Sequence, residues 1–564
     1  MKRKRVIVAP ESEFQSRRRL FGLLSRLYPV DFEAWHPGES PAHDGAIFWE
    51  GCDGEKELAA LQKGDCLIVA RPESPAVSVQ KRAVEFAPSA LLDPCFRGAT
   101  MVDECVEQFP ALRLREGDER LASLEGQPCW IARRMSRGTA SVVALAPEDP
   151  AETQTVYDHF NRRRWLRLLP FFHYLKQLTR GDGWEMPPVR ACLMFDDPNL
   201  HWPTYGFIDL RKLAEHARQN NYHVSCAMVP LDGWFANRRV SALFQENRER
   251  LSLCMHGNDH AYTELGAPLD AAAFTRMLAQ ALRRIDSFEK KSGVPVSRVM
   301  VPPYGAFRET VADPMLNLGY EAVCVSRASL TSWNKGKAWD PTFGHSVAEF
   351  VGTGLPVIPR QVMAPGHDGT YRLAAFLNQP IIPHGHHQDC AQGFDLLANV
   401  ANSINRLGPV AWTDMASISR SNFLTRRSGG ALTVRMLARR ISLPVGDEVK
   451  EIIVERPWIA ADRRETLVCS AGNQTFYSAQ SGAQSQVIVA SGARTVELTS
   501  PAPAALNYRE IKAPRFQAWT TARRFASEAR DRMQPLGSRL TRKSTAAANG
   551  SAQSVNNPTL EISK

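Results

Sequence analysis

The sequence lacks any apolar run long enough to cross a membrane, which needs roughly 20 consecutive apolar residues. Its first residues, MKRKRVIVAP, have a basic start, but only about five apolar residues follow, fewer than the roughly 7–15 in the core of a signal peptide. These features predict a protein with no signal peptide and no transmembrane segment. A cytoplasmic location is therefore expected.

Closely spaced cysteines are also missing. The 11 cysteines of the 564-residue chain are scattered, and no two of them form a C-x-x-C pair. Such pairs are typical of structural zinc knuckles and of redox sites. The odd count and the apolar surroundings of most of these cysteines predict free, mostly buried thiols in a reducing compartment.

The first 150 residues contain neither G-x-G-x-x-G nor G-x-S-x-G, so they show no dinucleotide-binding loop and no nucleophile turn. Short apolar segments such as RVIVAP, GAIFWE and CLIVARP alternate there with helical patterns. This alternation predicts a small doubly wound α/β domain over residues 1–150. Residues 151–187 are predicted to form a helical linker to the next domain.

Positive charge is present but uneven. The chain has a net charge of +10, yet residues 512–564 alone hold ten Lys or Arg and three Asp or Glu. The body is therefore close to neutral, and residues 513–564 are predicted to be a basic, partly disordered tail that could contact an anionic surface or partner. No recognisable binding module accompanies the tail, so nucleic-acid binding is not expected.

Residues 188–428 repeat a strand-then-helix pattern about seven times, and Gly or Asn closes several of the helices. This pattern predicts a distorted parallel (β/α) barrel, in which chemistry lies at the carboxyl ends of the strands. Residues 429–512 change to short strand-like runs between Gly, Asn, Ser and Pro, which predicts a small all-β sandwich module. The predicted fold class is therefore α/β, with a central barrel between the doubly wound domain and the β module.

The stretch ACLMFDDPNL places two adjacent carboxylates, Asp196 and Asp197, at the end of a predicted buried strand. Like charges in a desolvated position repel each other, and a divalent cation would supply the opposing charge. One carboxylate could then bind the cation, and the other could take a proton from the water beside it.

Histidines follow two other predicted strands. LSLCMHGNDHAYTE carries His256 and His260, and QPIIPHGHHQD carries His384, His386 and His387. A four-residue spacing can place two imidazoles on one face of a helical turn. With 14 histidines in the chain, that spacing alone is a weak signal, and the acidic pair makes it more specific. Two His and one Asp leave an open coordination position, as in catalytic zinc sites, and cobalt, nickel, manganese or iron could also occupy them.

Four motifs, MFDDPN, HGNDH, VPPYG and IIPHGH, occur in the order found in polysaccharide deacetylases of carbohydrate esterase family 4. The family motifs are T-F-D-D, H-[ST]-x-x-H, R-x-P-Y and a strand that ends in L-x-H. The sequence resembles this family over residues 188–419, about 40% of the chain. The resemblance implies a metal-dependent hydrolase that removes acetyl groups from N- or O-acetylated sugars by attack of metal-bound water.

The resemblance also implies a role for each matching residue. The implied groups are metal ligands, then proton-transfer and oxyanion-binding groups. The ligands are Asp197, His256 and His260; the general base is Asp196, the general acid is His384, and the oxyanion donor is the backbone N–H of Tyr304. Beside these implied roles, the candidate substrate contacts are Pro303, Trp333, His386 and His387, with packing open as the alternative for the tryptophan and a solvated loop position for the two histidines.

The sequence departs from the family at three positions. Val301 replaces the Arg that partners the catalytic base, Gly257 replaces the usual Ser or Thr, and Pro383 precedes His384. These departures keep two other interpretations open. One is a metal hydrolase that acts on a different amide or on a phosphate ester. The other is a catalytically impaired protein that binds carbohydrate or acts as a scaffold.

Overall fold

The computed structural model describes residues 3–61, 64–71, 76–181, 183–488, 494–515 and 517–551. Within these ranges, no helix combines the length and the apolar character needed to cross a bilayer. The described residues form a mixed α/β structure with three main groups of strands and a long C-terminal helix.

The N-terminal region is built around one nine-stranded sheet. The strands of the region are β1 (Lys4–Ala9), β2 (Val30–Ala34), β3 (Gly45–Trp49), β4 (Cys66–Val69), β5 (Val77–Ser78), β6 (Ala83–Phe86), β7 (Thr100–Val102), β8 (Gln108–Phe109), β9 (Glu119–Leu124), β10 (Gln127–Arg134) and β11 (Thr139–Val143). The helices are α1 (Glu11–Ser16), α2 (Arg18–Leu27) and α3 (Glu55–Leu61), followed by α4 (Val156–His159) and α5 (Leu169–Leu178) in the predicted linker. The order across the sheet is β2-β1-β3-β4-β11-β10-β9-β6-β7.

Half of this sheet differs from the predicted doubly wound pattern. The strands from β2 to β11 in the sheet order pair in parallel, whereas β10, β9, β6 and β7 continue the sheet in antiparallel fashion. Glu125 and Gly126 join β9 to β10, and their φ angles of 47° and 78° are left-handed. A two-residue turn of this kind closes an antiparallel hairpin and is too short for the crossover that parallel neighbours need.

The central region follows with a second set of strands and helices. The strands are β12 (Val189–Ala191), β13 (Leu193–Asp196), β14 (Thr204–Tyr205), β15 (Ile208–Asp209), β16 (Val224–Met228), β17 (Leu251–His256), β18 (Val296–Val301), β19 (Ala322–Cys324), β20 (Glu349–Val351), β21 (Leu355–Ile358), β22 (Gln361–Val362), β23 (Pro383–Gly385) and β24 (Val410–Trp412). The helices are α6 (Leu210–Gln219), α7 (Arg238–Glu246), α8 (Ala271–Ser292), α9 (Ala312–Asn317), α10 (Arg327–Trp333), α11 (Asp368–Phe376), α12 (Asp395–Asn405) and α13 (Met415–Arg420).

The central sheet curls back on itself. Its order is β20-β21-β19-β18-β17-β16-β13-β23-β22, and every neighbouring pair except β20 with β21 is parallel. Only Pro359 and Arg360 separate β21, near one end of this order, from β22 at the other end. The three Cα–Cα steps between these strands span at most about 11 Å. The two ends of the sheet therefore approach each other.

One hydrophobic core runs through the N-terminal and central regions. The ring centroid of Phe96 is 5.2 Å from that of Phe376 in α11, and Phe160 also contacts Phe376. Lys176 in α5 donates to the Phe376 carbonyl oxygen at 2.8 Å. Packing is thus continuous across residue 150, and the predicted domain limits remain predictions.

The third group of strands forms two four-stranded sheets with a core of their own. The strands are β25 (Phe423–Ser428), β26 (Ala431–Met436), β27 (Arg440–Pro444), β28 (Glu451–Glu455), β29 (Glu465–Ala471), β30 (Gln474–Ser481), β31 (Gln484–Ile488) and β32 (Thr495–Thr499). The sheet orders are β25-β26-β28-β31 and β27-β32-β29-β30. A separate hydrophobic cluster takes Val434 and Ile452 from one sheet and Leu467 and Leu498 from the other, so the two sheets pack face to face.

The C-terminal helix α14 (Ala518–Ser551) covers much of the predicted basic tail. Its first part contacts the central region through Arg524, Glu528 and Arg532. The basic tail therefore meets polar and acidic groups of its own chain. The predicted disorder at the end of the chain falls partly on residues 552–564, which lie outside the described residues.

Candidate functional site

The predicted site residues lie on neighbouring strands of the central sheet. Asp196 ends β13, His256 ends β17, and His384 lies in β23. β13 pairs with β16 and with β23, and β16 pairs with β17, all in parallel. The carboxyl ends of parallel strands meet at one edge of a sheet, so these side chains start from the same edge.

Asp197, His256 and His260 form a compact cluster at this edge. One potential ligand atom from each of the three side chains lies within 4.8 Å of the other two. Asp197 Oδ1 is 3.3 Å from His260 Nε2 and 3.9 Å from His256 Nε2. His256 is buried, and the other two side chains are largely so.

The hydrogen bonding of His256 suits a metal ligand. Its Nδ1–H donates to the Val301 carbonyl oxygen at 2.9 Å, because a carbonyl can only accept. Nε2 then carries the lone pair, and it is this atom that approaches Asp197. Burial lowers the pKa of both His256 and His260, which favours the neutral imidazoles that metal binding requires. Two neutral imidazoles and one carboxylate at these distances fit a divalent cation such as zinc.

The backbone is unusual at three of the site residues. Asp197, His260 and Tyr304 have φ angles of 82°, 54° and 56°. Such left-handed conformations are uncommon for residues other than glycine and are concentrated at functional sites. Contacts around the site must therefore hold this backbone in place.

A buried carboxylate, Glu264, supports the loop between His256 and His260. Glu264 Oε1 accepts the Asn258 N–H at 2.7 Å, and its Oε2 accepts the Asp259 N–H at 3.1 Å. Burial raises the pKa of Glu264 to about 7, against the opposing effect of these hydrogen bonds. The contacts fix the backbone that carries His260.

Replacing Gly257 by alanine is expected to lower the free energy of unfolding by about 2–4 kcal/mol. Gly257 has a φ of +63°, and a Cβ atom there would overlap Glu264 Oε1 and lie 2.7 Å from Pro303 Cγ. Ser or Thr at this position would meet the same two neighbours through its Cβ atom. Gly98 has the same φ, but its Cβ would meet nothing within 4 Å, so Gly98→Ala measures the backbone cost alone. Equal losses for the two variants in chemical denaturation would contradict the steric explanation.

Arg360 supplies the positive charge that the third motif lacks. Its Nη1 donates to both carboxylate oxygens of Asp196, at 2.9 and 3.0 Å, and both side chains are buried. Burial works to raise the pKa of Asp196, but the charge of Arg360, together with nearby histidines, holds this pKa well below its usual range. Asp196 is therefore an ionised carboxylate directly before Asp197.

His384 is fixed at the same edge by a backbone contact. Its Nδ1–H donates to the Gln361 carbonyl oxygen at 2.6 Å, so the neutral ring carries its lone pair on Nε2. In the parallel register, His384 stands opposite Met194, two residues before Asp196. Burial, reinforced by the charge of Arg360, lowers the pKa of His384 to about 4.

Tyr304 lies beside His260 of the cluster. It lies in the short 3-10 turn Pro303–Gly305 after β18, and its ring centroid is 5.4 Å from that of His260. The Tyr304 side chain is 63% exposed, whereas Pro303 is buried. Tyr304 is therefore an exposed residue that borders the cluster.

The other predicted substrate contacts have different surroundings. Trp333 ends α10 and is half-buried. His387 is buried, with its ring centroid 5.6 Å from that of Tyr205 and 5.8 Å from that of Phe207. His386 is exposed. Their roles as substrate contacts remain predictions.

Two of the residues at this site belong to none of the four motifs. The sequence signal for Arg360 is a single arginine directly after the apolar segment LPVIP. A charged residue that follows a buried strand needs a partner, and the acidic pair is a candidate. Glu264 has no such signal in the sequence. Its partners are backbone N–H groups, which every residue except proline has, so no particular residue type marks the contact.

No family model and no curated protein matches this chain. Solved structures similar to it include a T48 deacetylase with substrate, which is 13% identical, with 40% of this chain and 88% of that chain covered and a TM-score of 0.24. A protein from Mycobacterium smegmatis assigned as a polysaccharide deacetylase is 14% identical over 42% of this chain and 95% of that chain, with a TM-score of 0.28. A CE4 esterase from Streptococcus mutans is 14% identical over 40% of this chain and 86% of that chain, with a TM-score of 0.23.

These similar structures include members of carbohydrate esterase family 4, the family that the four sequence motifs resemble. Identities of 13–14% and TM-scores of 0.23–0.28 are too low to transfer an activity to this chain.

Proposed function

We propose that this protein is a metal-dependent hydrolase that removes acetyl groups from N- or O-acetylated sugars. The observation that carries the proposal is the pairing of two features at one sheet edge. One feature is the metal-competent cluster of Asp197, His256 and His260. The other is a neighbouring carboxylate, Asp196, that Arg360 keeps ionised.

The cluster would hold a divalent cation, with zinc favoured by the His-His-Asp set. When bound, the cation would supply Lewis acidity, which makes water more acidic and polarises an acetyl carbonyl. The remaining chemistry falls to residues of the chain. They must take a proton from water, support negative charge on the carbonyl oxygen and protonate the leaving group.

Asp196 is the proposed proton acceptor. Its ionised form can take a proton from the attacking water, and Arg360 Nη1, which donates to both carboxylate oxygens, fixes the orientation of the carboxylate. The Tyr304 backbone N–H is the proposed donor to the carbonyl oxygen as negative charge develops. The left-handed φ of Tyr304 would turn this N–H group out of the direction it has in an extended or helical chain.

His384 is the proposed route of the proton to the leaving amine or alcohol. Because its Nδ1–H is held by the Gln361 carbonyl, the proton would pass through Nε2. The ring rests in its neutral form, since burial lowers its pKa to about 4. It would become charged only after it takes from Asp196 the proton that Asp196 removed from water, and it would return to its neutral form when it passes this proton to the leaving group.

The third motif has Val301 in place of an arginine, which on its own favours a non-catalytic protein. Arg360, in the two-residue link between β21 and β22, nevertheless supplies a guanidinium to Asp196, the proposed base. A catalytic site is therefore favoured over a carbohydrate-binding or scaffold role. Hydrolysis of another amide or of a phosphate ester remains the alternative within the enzyme class.

Acetate release tests the proposal directly. The zinc-loaded protein should release acetate from an N-acetylated or an O-acetylated oligosaccharide, and a chelator should abolish the release until zinc is restored. An aryl phosphate and a non-acetyl amide serve as comparison substrates. Turnover of either comparison substrate without acetate release would favour the alternative, and no turnover of any substrate by zinc-loaded protein would contradict a hydrolase.

A further inference from the structure

The first part of α14, residues 518–535, lies against the candidate metal cluster. Arg524 Nη1 is 3.3 Å from Asp197 Oδ1, and Arg524 Nη2 donates to the Asp197 carbonyl oxygen at 3.1 Å. Arg524 Nη2 also donates to Asp232 at 2.6 Å. One arginine from the C-terminal helix thus joins a predicted metal ligand to a second carboxylate.

This contact is buried and charged. The side chains of Arg524 and Asp232 are each only 4% exposed. Asp232 also accepts a hydrogen bond from Asn199 at 3.1 Å. Buried charges are stable only when paired, so the position of Arg524 is strongly determined by Asp232 and Asp197.

The rest of the docked helix face is mainly polar, with one aromatic contact between Phe525 and Trp234, whose ring centroids are 6.2 Å apart. Arg524, Glu528 and Arg532 recur at four-residue spacing and therefore lie on one face of the helix. Glu528 is 3.1 Å from His201 Nδ1, and Arg532 donates to Asn199 Oδ1 at 2.9 Å. Arg523, next to Arg524, donates to the backbone carbonyl of His260. A face held by ion pairs and hydrogen bonds can separate without exposing a large apolar surface.

The position of Arg524 conflicts with a cation in the cluster. Asp197 Oδ1 is 3.3 Å from Arg524 Nη1 and also 3.3 Å from His260 Nε2. A divalent ion bound to that oxygen would lie within a few ångströms of the guanidinium, and like charges at this distance repel each other. Both positive groups use the same carboxylate.

We propose that the first part of α14 is a built-in competitor for the candidate site, in which the Arg524 guanidinium and a divalent cation compete for Asp197. Docking of the helix weakens cation binding, and cation binding loosens the helix, because the coupling between two binding events is reciprocal. The docked helix also covers one side of the cluster. The inference rests on the proposed function only in taking Asp197 as a cation ligand.

The test uses the full chain and a control on the same helix. Arg524→Gln removes the competing charge. Arg530→Gln removes an arginine that is 67% exposed and is paired with Asp531 of its own helix. For each protein, zinc affinity is measured by competition with a chromophoric chelator, and amide hydrogen exchange of residues 518–535 is measured with and without zinc.

The wild-type helix should exchange faster when zinc is added. Arg524→Gln should exchange faster even without zinc and should bind zinc at least about tenfold more tightly, within the usual range of coupling between sites. Arg530→Gln should behave as the wild type. Arg524→Gln leaves the buried Asp232 carboxylate without its arginine partner, which could destabilise the fold. The double variant Arg524→Gln/Asp232→Asn removes that unpaired charge and is measured in the same way.

Two results would overturn the proposal while the metal site stands. The first is equal zinc affinity in the wild type and in the folded Arg524 variants. The second is slower amide hydrogen exchange of residues 518–535 when zinc is present. That result would mean that α14 stays docked and is stabilised by the bound cation. If no protein in the series binds zinc, the proposed function fails, and the competition fails with it.

Discussion

Replacing Arg360 by methionine is expected to lower the free energy of unfolding by about 3–5 kcal/mol and to abolish most acetate release. The variant would leave the Asp196 carboxylate buried without its cation, because Arg360 donates to both of its oxygens. An uncompensated buried carboxylate protonates or draws in water, and in either case it is no longer an oriented, ionised proton acceptor. Chemical denaturation and acetate release measure the two effects.

The pH dependence of this loss has a predicted sign. With Arg360 present, the pKa of Asp196 lies below its usual range, so the pair adds stability above the ordinary pKa of about 4 and loses it as the pH falls below that value. In Arg360→Met burial, which raises the pKa of Asp196, is opposed only by the nearby histidines, so this pKa is higher than in the wild type. The variant should therefore recover stability relative to the wild type as the pH falls from 7 toward 5.

A second ion pair separates general destabilisation from an effect on the site. Arg327 and Glu349 are 3.1 Å apart and only 10% and 12% exposed, on a different part of the central region. Arg327→Met should lower stability but leave acetate release by the folded protein unchanged. Arg360→Lys keeps a positive charge near Asp196 without the guanidinium and should lose less activity than Arg360→Met. Full activity in a folded Arg360→Met variant would exclude a role for this arginine in positioning Asp196.

The sequence predicts the cluster itself because its signals are local. Asp197 follows the end of one strand, and His256 and His260 lie at and just after the end of another, so parallel pairing alone brings them to one edge. Tyr304 is placed beside His260 by the same reasoning.

The partners of the acidic pair are not predictable in this way. Arg360 is 164 residues from Asp196, and Arg524 is 327 residues from Asp197. Neither contact follows from periodicity or from a motif. The first depends on the curl of the central sheet, which brings the link between β21 and β22 to the site. The second depends on where a basic tail docks, and tail composition alone suggests solvent exposure.

The two adjacent aspartates should have separable effects when each is replaced by asparagine. Asp197→Asn removes the charged ligand of the cluster, so zinc affinity should fall more than about 100-fold and acetate release should fall with it. Asp196→Asn leaves the three ligand side chains in place but removes the proton acceptor. It should keep zinc within a few-fold of the wild type, while kcat falls by about 10²–10⁴.

The comparison of zinc content with activity distinguishes the two roles. Excess zinc should partly restore the Asp197→Asn variant, since its base is intact, and should not restore Asp196→Asn, since its defect is not in binding. Asparagine still offers an oxygen to Arg360, so the fold of Asp196→Asn should survive better than that of Arg360→Met. The opposite pattern, with zinc lost in Asp196→Asn and kept in Asp197→Asn, would exchange the roles of the two carboxylates. Equal loss of zinc in both would mean that they bind the cation together, which would leave the site without a separate base.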